Sequence, residues 1–268
     1  FQALAALIDR ASGIKPYKVL QLTHSGRYAR AFGSPNPQIA AANPWLDRPD
    51  QPAVLLSDDQ LAGLVPLYVR AAELAYQAGF DAVDIKSCHR YLLNELLSAY
   101  TRPGSYGGTL ENRSRLLLDI VRAIRAAVPL DLAVRLNAYD EIPYPYGWGV
   151  DKTDHHIPDL TEPLWLAVAL KSAGVSLLNI TGGNPYYNPH VNRPYDTGPY
   201  QPPLHPLYHT VKLLRACRDI RSGLLSSPPA PAAPADPPNP PVRLIASGLS
   251  WLRQLAGPVA AGLVHDGW

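Results

Sequence analysis

Five short apolar, β-rich runs recur along the chain, each followed by a longer helical pattern, and this alternation is the strongest constraint on its fold. The runs are YKVLQL, DAVDI, LAVRLN, SLLNI and VRLIAS, and the helices that follow them are predicted over 58–78, 113–127, 164–173, 207–221 and 251–255. Strands separated by helices pair in parallel with the helices packed outside, which predicts an α/β fold. The first helix start is signposted by a capping box, Ser57 with Gln60, and by Asp58 and Asp59 at the positive end of the helix dipole. Gly79 closes that helix in the left-handed conformation that leads tightly into the next strand.

The loops after strands are long and rich in Pro, Gly, Tyr and His, as in NAYDEIPYPYGWGVDKTDHHIPD and TGGNPYYNPHVNRPYDTGPYQPPLHP. Elaboration at the carboxyl ends of parallel strands is where α/β active sites are built. A Pro-rich stretch, SSPPAPAAPADPPNPP at 226–241, holds eight of the 29 prolines and reads as a surface insertion away from any site. With 24 basic and 22 acidic residues, the chain has no charge block suited to nucleic acid or an anionic membrane, and no apolar run approaches a bilayer span. Two distant cysteines, Cys88 and Cys217, offer neither a disulfide framework nor a Cys-rich metal site and suit a reducing, cytoplasmic compartment. The chain contains no Met, even at position 1, and opens directly into the helical run FQALAALIDR, so it reads as a fragment.

Polar residues inside apolar strands carry the chemistry. Period-two alternation sets Gln21 opposite to Leu20 and Leu22, puts Asp84 and Lys86 on the face away from Val83 and Ile85, and turns Arg135 away from Val134 and Leu136. An amide, an ammonium and a guanidinium thus project from one interior surface, where unpartnered burial costs several kcal/mol. Two readings satisfy them: an Asp84–Arg135 ion pair with Gln21 on backbone, or a bound cofactor that needs all three. Spacing alone does not choose.

The segment GFDAVDIKSCHRYLLNELLSAYTRPGSYGGTLENRSRLLLDIVRAIRAAV resembles the signature region of the old yellow enzyme family of FMN-dependent NADH:flavin oxidoreductases. QLTHSGR, VRLNAYD, LLNITGGNPYYNPHVNRP and LIASGLSWLRQ resemble that family's third, fifth, sixth and seventh strand regions in order, and the 177–194 segment leans toward the 2,4-dienoyl-CoA reductase branch. The resemblance implies a (β/α)8 TIM barrel represented here by strands three to seven, without the first two and the eighth, as one incomplete FMN-binding domain over 1–268. It also implies an ene reductase that takes electrons from NADH or NADPH through FMN to the C=C bond of a small α,β-unsaturated carbonyl compound, with a homo-oligomer left open.

Residue by residue, the resemblance matches Gln21 to a flavin-pyrimidine ligand, Arg135 to the cation beside the flavin N1 and O2, and Gly248 to the glycine that approaches the FMN phosphate. It matches His89 to the second member of a carbonyl-holding pair and Tyr91 to the proton donor. Lys86 stands where the family has histidine; it can donate to an oxyanion or bind a carboxylate. A lyase using Lys86 as a Schiff-base amine and an inactive truncated chain are the alternative readings. His205 with His209 and His155 with His156 have helical or adjacent spacing without a recognisable third ligand, so no metal is expected. Loop histidines lining the substrate mouth are the reading preferred for them. His24 and Arg27 follow a strand and either touch substrate or brace a loop, Cys88 is read as a buried inert thiol, and Gly107–Gly108 lacks the lysine and spacing of a P-loop.

Overall fold

The computed structural model describes residues 2–195, 198–227, 241–248 and 266–267. The strands are β1 (Val19–Leu22), β2 (Gln38–Ile39), β3 (Val54–Leu55), β4 (Ala82–Ser87), β5 (Asp131–Tyr139), β6 (Leu177–Gly182), β7 (Arg243–Ala246) and β8 (Asp266–Gly267). The helices are α1 (Gln2–Ser12), α2 (Asp58–Ala62), α3 (Leu64–Gln77), α4 (Leu92–Leu97), α5 (Leu110–Ala127), α6 (Thr161–Ser172), α7 (Pro189–Asn192) and α8 (Pro206–Ser226). One six-stranded sheet runs β1-β4-β5-β6-β7-β8 with every neighbouring pair parallel. β2 and β3 form a separate parallel pair in the long connection after β1. Among the described residues the sheet does not close on itself, so the architecture is the expected α/β class, part of a (β/α)8 barrel. The five expected strands are present, and the two-residue β8 adds a sixth.

Apolar periodicity makes the helices and decides which face they bury. In α5, Leu117, Ile120, Val121 and Ile124 form one buried stripe, while Thr109 caps the helix by accepting the Asn112 N–H at 3.3 Å. That cap starts the helix at Leu110, three residues ahead of the apolar repeat used to predict it. β4 and β5 are buried along almost their whole length, as strands covered on both faces should be.

The helix predicted over 58–78 is two helices. The capping box at Ser57 and Gln60 is present in both directions, and Gly79 has φ of 81°. Between them the ladder breaks at Gly63 because Pro66 has no N–H for the carbonyl four residues earlier and its ring crowds it. The helices predicted at 164–173 and 207–221 begin at Thr161 and Pro206, and the second runs on to Ser226. The helix predicted over 251–255 and residues 228–240 of the Pro-rich stretch lie outside the described residues. No described helix is long and apolar enough to cross a membrane.

Candidate active site

Register brings the polar strand residues together. Gln21 lies opposite Asp84 across β1 and β4, Lys86 opposite Arg135 across β4 and β5, and Arg135 opposite Asn179 across β5 and β6. Partners in a parallel ladder share a face, so these residues form one polar surface. Gln21 Nε2 donates to Asp84 Oδ2 at 2.6 Å, rather than to backbone. Burial raises the Asp84 pKa, opposed by the Gln21 hydrogen bond and the nearby Arg135 cation. Arg135 also reaches Ser247 Oγ, at 3.4 Å, just past β7.

Asp84 Oδ1 and Asn179 Oδ1 on this surface are buried and accept no hydrogen bond. Two orphaned acceptors beside a guanidinium fit a flat polar heterocycle with both N–H and carbonyl groups along one edge, which is the chemistry of the FMN pyrimidine ring. Gly248 has φ of 94°, and a Cβ there would collide with the Asn192 carbonyl oxygen. Only glycine fits that turn. Its place just after β7 matches the sequence reading, while the helix expected to follow it lies outside the described residues.

The turn after β4 holds the other candidates. His89 and Arg90 both have positive φ, 60° and 59°, which non-glycine residues adopt only when their surroundings over-determine it. Here the Arg90 guanidinium is locked inside the protein by Asp140 Oδ2 at 3.1 Å and Ser98 Oγ at 2.6 Å, and its backbone N–H donates to Asn94 Oδ1 at 2.8 Å. The turn sends His89 inward and places Tyr91 at the start of α4. The Lys86 ammonium lies 3.5 Å from the centroid of the Tyr91 ring, a cation–π contact, and burial lowers its pKa. The Tyr91 hydroxyl is 3.0 Å from that of Tyr186, and Tyr28 packs on both rings with centroids 5.8 and 4.0 Å away.

Asn192 fixes the state of His89. Its side-chain amide donates to the Gly182 carbonyl at 2.9 Å, which identifies the nitrogen, and the same nitrogen lies 2.9 Å from His89 Nε2. Nε2 therefore accepts, and the ring proton sits on Nδ1. Burial, together with Arg135 and Lys86, pushes the His89 pKa down to about 3, so the ring is neutral at physiological pH.

His205 and His209 do separate jobs despite their helical spacing. His205 caps α8 by accepting the Leu207 N–H at 3.2 Å, whereas His209 is buried with its Nδ1 3.8 Å from the Glu141 carboxylate. Glu141 is already paired with Lys212 at 2.5 Å and His156 at 3.2 Å. Burial brings the His209 pKa down to about 4. The third donor unseen in the sequence spacing of His155 and His156 is Asp154, immediately before them; the three offer ligand atoms within 4.8 Å of one another. Arg27 braces a loop, held by Glu95 at 3.0 Å and Asp47 at 2.7 Å. Cys88 is fully buried and its pKa is pushed up to about 12, so the thiol is inert.

His89 and His209 give the fold an acid-sensitive window. Both bind fewer protons folded than unfolded between their folded values, about 3 and about 4, and the ordinary 6.5. Stability therefore rises with pH across that window and falls as pH drops through it, each ring adding a slope of about 1.4 kcal/mol per pH unit where it titrates only in the unfolded chain. Urea midpoints recorded from pH 7 to pH 4 should fall, and His89→Gln should make the profile shallower.

An open parallel sheet with the candidate polar residues on one face and long loops after its strands defines a barrel-type α/β protein. The model of the NADH:flavin oxidoreductase / NADH oxidase family matches residues 2–163, and the chain belongs to that family. NADPH dehydrogenase of Bacillus pumilus (strain SAFR-032) is 32% identical over 184 residues, 68% of this chain and 50% of that protein. NADPH dehydrogenase of Listeria monocytogenes serotype 4b (strain F2365) is 31% identical over 183 residues, again 68% and 50%. The chain thus spans about half the length of the curated relatives it matches. Among solved structures, 2-naphthoyl-CoA reductase superposes with a TM-score of 0.68 at 19% identity, covering 99% of this chain and 38% of that one. Morphinone reductase gives 0.65 at 19% identity, covering 97% and 63%. These likenesses establish the fold.

The residues missed in the sequence are Tyr28, Asn179, Tyr186 and Asn192. Asn179 was within reach of the alternation argument, because it is the polar residue of the run SLLNI. The tyrosines and Asn192 sit in loops or short helices where no periodicity marks a facing side chain.

Proposed function

We propose that this protein holds FMN on the β1–β4–β5–β6 polar face and reduces the C=C bond of α,β-unsaturated carbonyl compounds with NADH or NADPH as electron donor. The observation that carries the reading is the pair of orphaned buried acceptors beside Arg135, in a chain of a flavin oxidoreductase family. Bound FMN would accept hydride from the nicotinamide and supply it to the β carbon of the substrate.

The chain's own residues do the rest. Arg135 sets a fixed cation beside the pyrimidine edge, where it stabilises negative charge, and Gln21, already aligned by Asp84, meets the same edge. Gly248 leaves room for the phosphate. Tyr91 keeps its proton at neutral pH, because burial and the Tyr186 hydroxyl raise its pKa, and gives that proton to the substrate α carbon. Lys86 and the Nδ1–H of His89 hold the carbonyl oxygen as it gains charge. A neutral His89 suits this role, since a third full cation would be costly so close to Lys86 and Arg135.

Within the family we place the chain nearest the 2,4-dienoyl-CoA reductases, on the likeness of its 177–194 segment. Two buried free cysteines suit a reducing cytoplasm. Against the Schiff-base reading, Lys86 lies on the Tyr91 ring, a contact that favours the cation over the free amine such chemistry needs.

Sizing chromatography of the chain with excess FMN tests the proposal. Flavin absorbance should elute with the folded chain, and enones should then reoxidise the reduced flavin. A folded, colourless chain overturns it, and borohydride trapping of substrate on Lys86 without flavin would hand the site to the lyase.

A further inference from the structure

A cavity of about 990 Å³ opens beside Tyr186, between the loop following β1 and the loop following β6. That volume is at the upper end of small-molecule sites, roughly 300–1,000 Å³, and exceeds the needs of a small enone. Arg27, Arg30 and Arg48 stand in its wall with one carboxylate, Asp47, among the lining residues.

Arg27 is consumed by Glu95 and Asp47 and serves as the floor. Arg30 is exposed, and Arg48 is on the surface with only an exposed partner, Asp50, from which an anion can recruit it. Between these cations stand flat rings with open faces: Trp45 is 50% exposed and Tyr187 38%. Tyr186 belongs both to this wall and to the hydroxyl pair with Tyr91, so a ligand along the cavity runs from the arginines to the proposed proton donor.

An aromatic base to stack and an anionic linker to pair, joined in one extended molecule, are the features of an adenosine diphosphate group. We propose that this cavity holds the adenosine diphosphate half of the nicotinamide donor, with the base on Trp45 and the diphosphate at Arg30 and Arg48. The assignment rests on the functional reading above, and it extends that reading from the flavin face to the loops.

ADP-ribose, which lacks the nicotinamide, separates the two. Calorimetric titration of the full chain should show saturable ADP-ribose binding, with quenching of the Trp45 contribution to fluorescence that is lost in Trp45→Phe. Arg30→Glu and Arg48→Glu should each weaken binding at least tenfold, Arg48→Lys should largely restore it, and Arg70→Glu, on the exposed side of α3, should leave it unchanged. No saturable heat from the wild-type chain, equal affinity in the Arg30 and Arg48 variants, or equal weakening by Arg70→Glu overturns the proposal. Coenzyme A carries the same chemistry, and tighter binding of coenzyme A than of ADP-ribose would give the cavity to the nucleotide handle of a thioester substrate and overturn the donor assignment. Flavin absorbance read on the same samples keeps the outcomes distinct. ADP-ribose binding without flavin retention upholds the cavity and sinks the flavin reading, and flavin retention without ADP-ribose binding does the reverse.

Discussion

Arg135→Ala should strip FMN from the protein on a sizing column while leaving the chain folded. The guanidinium is the charged group at the centre of the polar face, opposite Lys86 on one side and Asn179 on the other. A hydrogen bond to a charged partner contributes about 1.5–3 kcal/mol, so its loss weakens FMN binding by roughly tenfold to a hundredfold. The apolar β5 side chains that hold the strand, Val134 and Leu136, face the other way and are fully buried, so removal of Arg135 leaves the core packing in place. The variant also removes a cation that disfavours the charged forms of Lys86 and His89, and the Lys86 pKa should rise toward its ordinary value. Arg135→Lys keeps the charge and should retain flavin at intermediate affinity, which distinguishes loss of a ligand contact from loss of structure. Normal flavin retention in Arg135→Ala, with the fold confirmed by circular dichroism, would remove Arg135 from the site.

How far such a site is legible in a sequence depends on which physical rule places each residue. Gln21, Asp84, Lys86 and Arg135 share a face because strand side chains alternate with a period of two, and that rule needs no tertiary information. The helix ends with local signatures, Ser57 with Gln60 and Gly79, are where the sequence puts them. The break at Gly63 was also local, carried by Pro66, but the uninterrupted apolar pattern on both sides masks it. Loop contacts follow no such rule. Tyr28, Tyr186 and Tyr91 are separated by as many as 158 residues, yet their rings meet, and nothing in the spacing of NPYYNP indicates which of two adjacent tyrosines turns toward Tyr91. Arg90 is a further case. A positively charged residue in a turn reads as solvent-exposed, whereas Asp140, fifty residues on, pulls it 99% out of solvent. The Asp140 carboxylate in turn gathers the Ile142 and Trp148 N–H groups at 3.2 and 3.0 Å, so one buried charge pair ties the turn after β4 to the loop after β5. That tie holds His89 and Arg90 in positive φ, and the placement of Tyr91 depends on it.

Tyr91→Phe should retain FMN and slow the oxidative half-reaction with an enone by about 10²- to 10⁴-fold, the usual contribution of a positioned proton donor. The substitution is close to a pure test of the hydroxyl. A phenylalanine ring still packs beside Tyr28 and still offers its face to the Lys86 ammonium, so the contacts that set the turn persist. What disappears is the O–H group that lies 3.0 Å from the Tyr186 hydroxyl. The reductive half-reaction, in which NAD(P)H gives up hydride and no proton is delivered to a substrate carbon, should keep its wild-type rate in a stopped-flow measurement. Slowing of both half-reactions alike would mean that Tyr91 positions the cofactor or closes the site instead of donating a proton. An unchanged oxidative rate would shift the donor role to Tyr186, whose exposed ring borders the same space, and Tyr186→Phe would then carry the larger loss. With Tyr91 as donor, Tyr186→Phe should have the smaller effect, because it removes only the hydroxyl that contacts Tyr91 and helps keep it protonated.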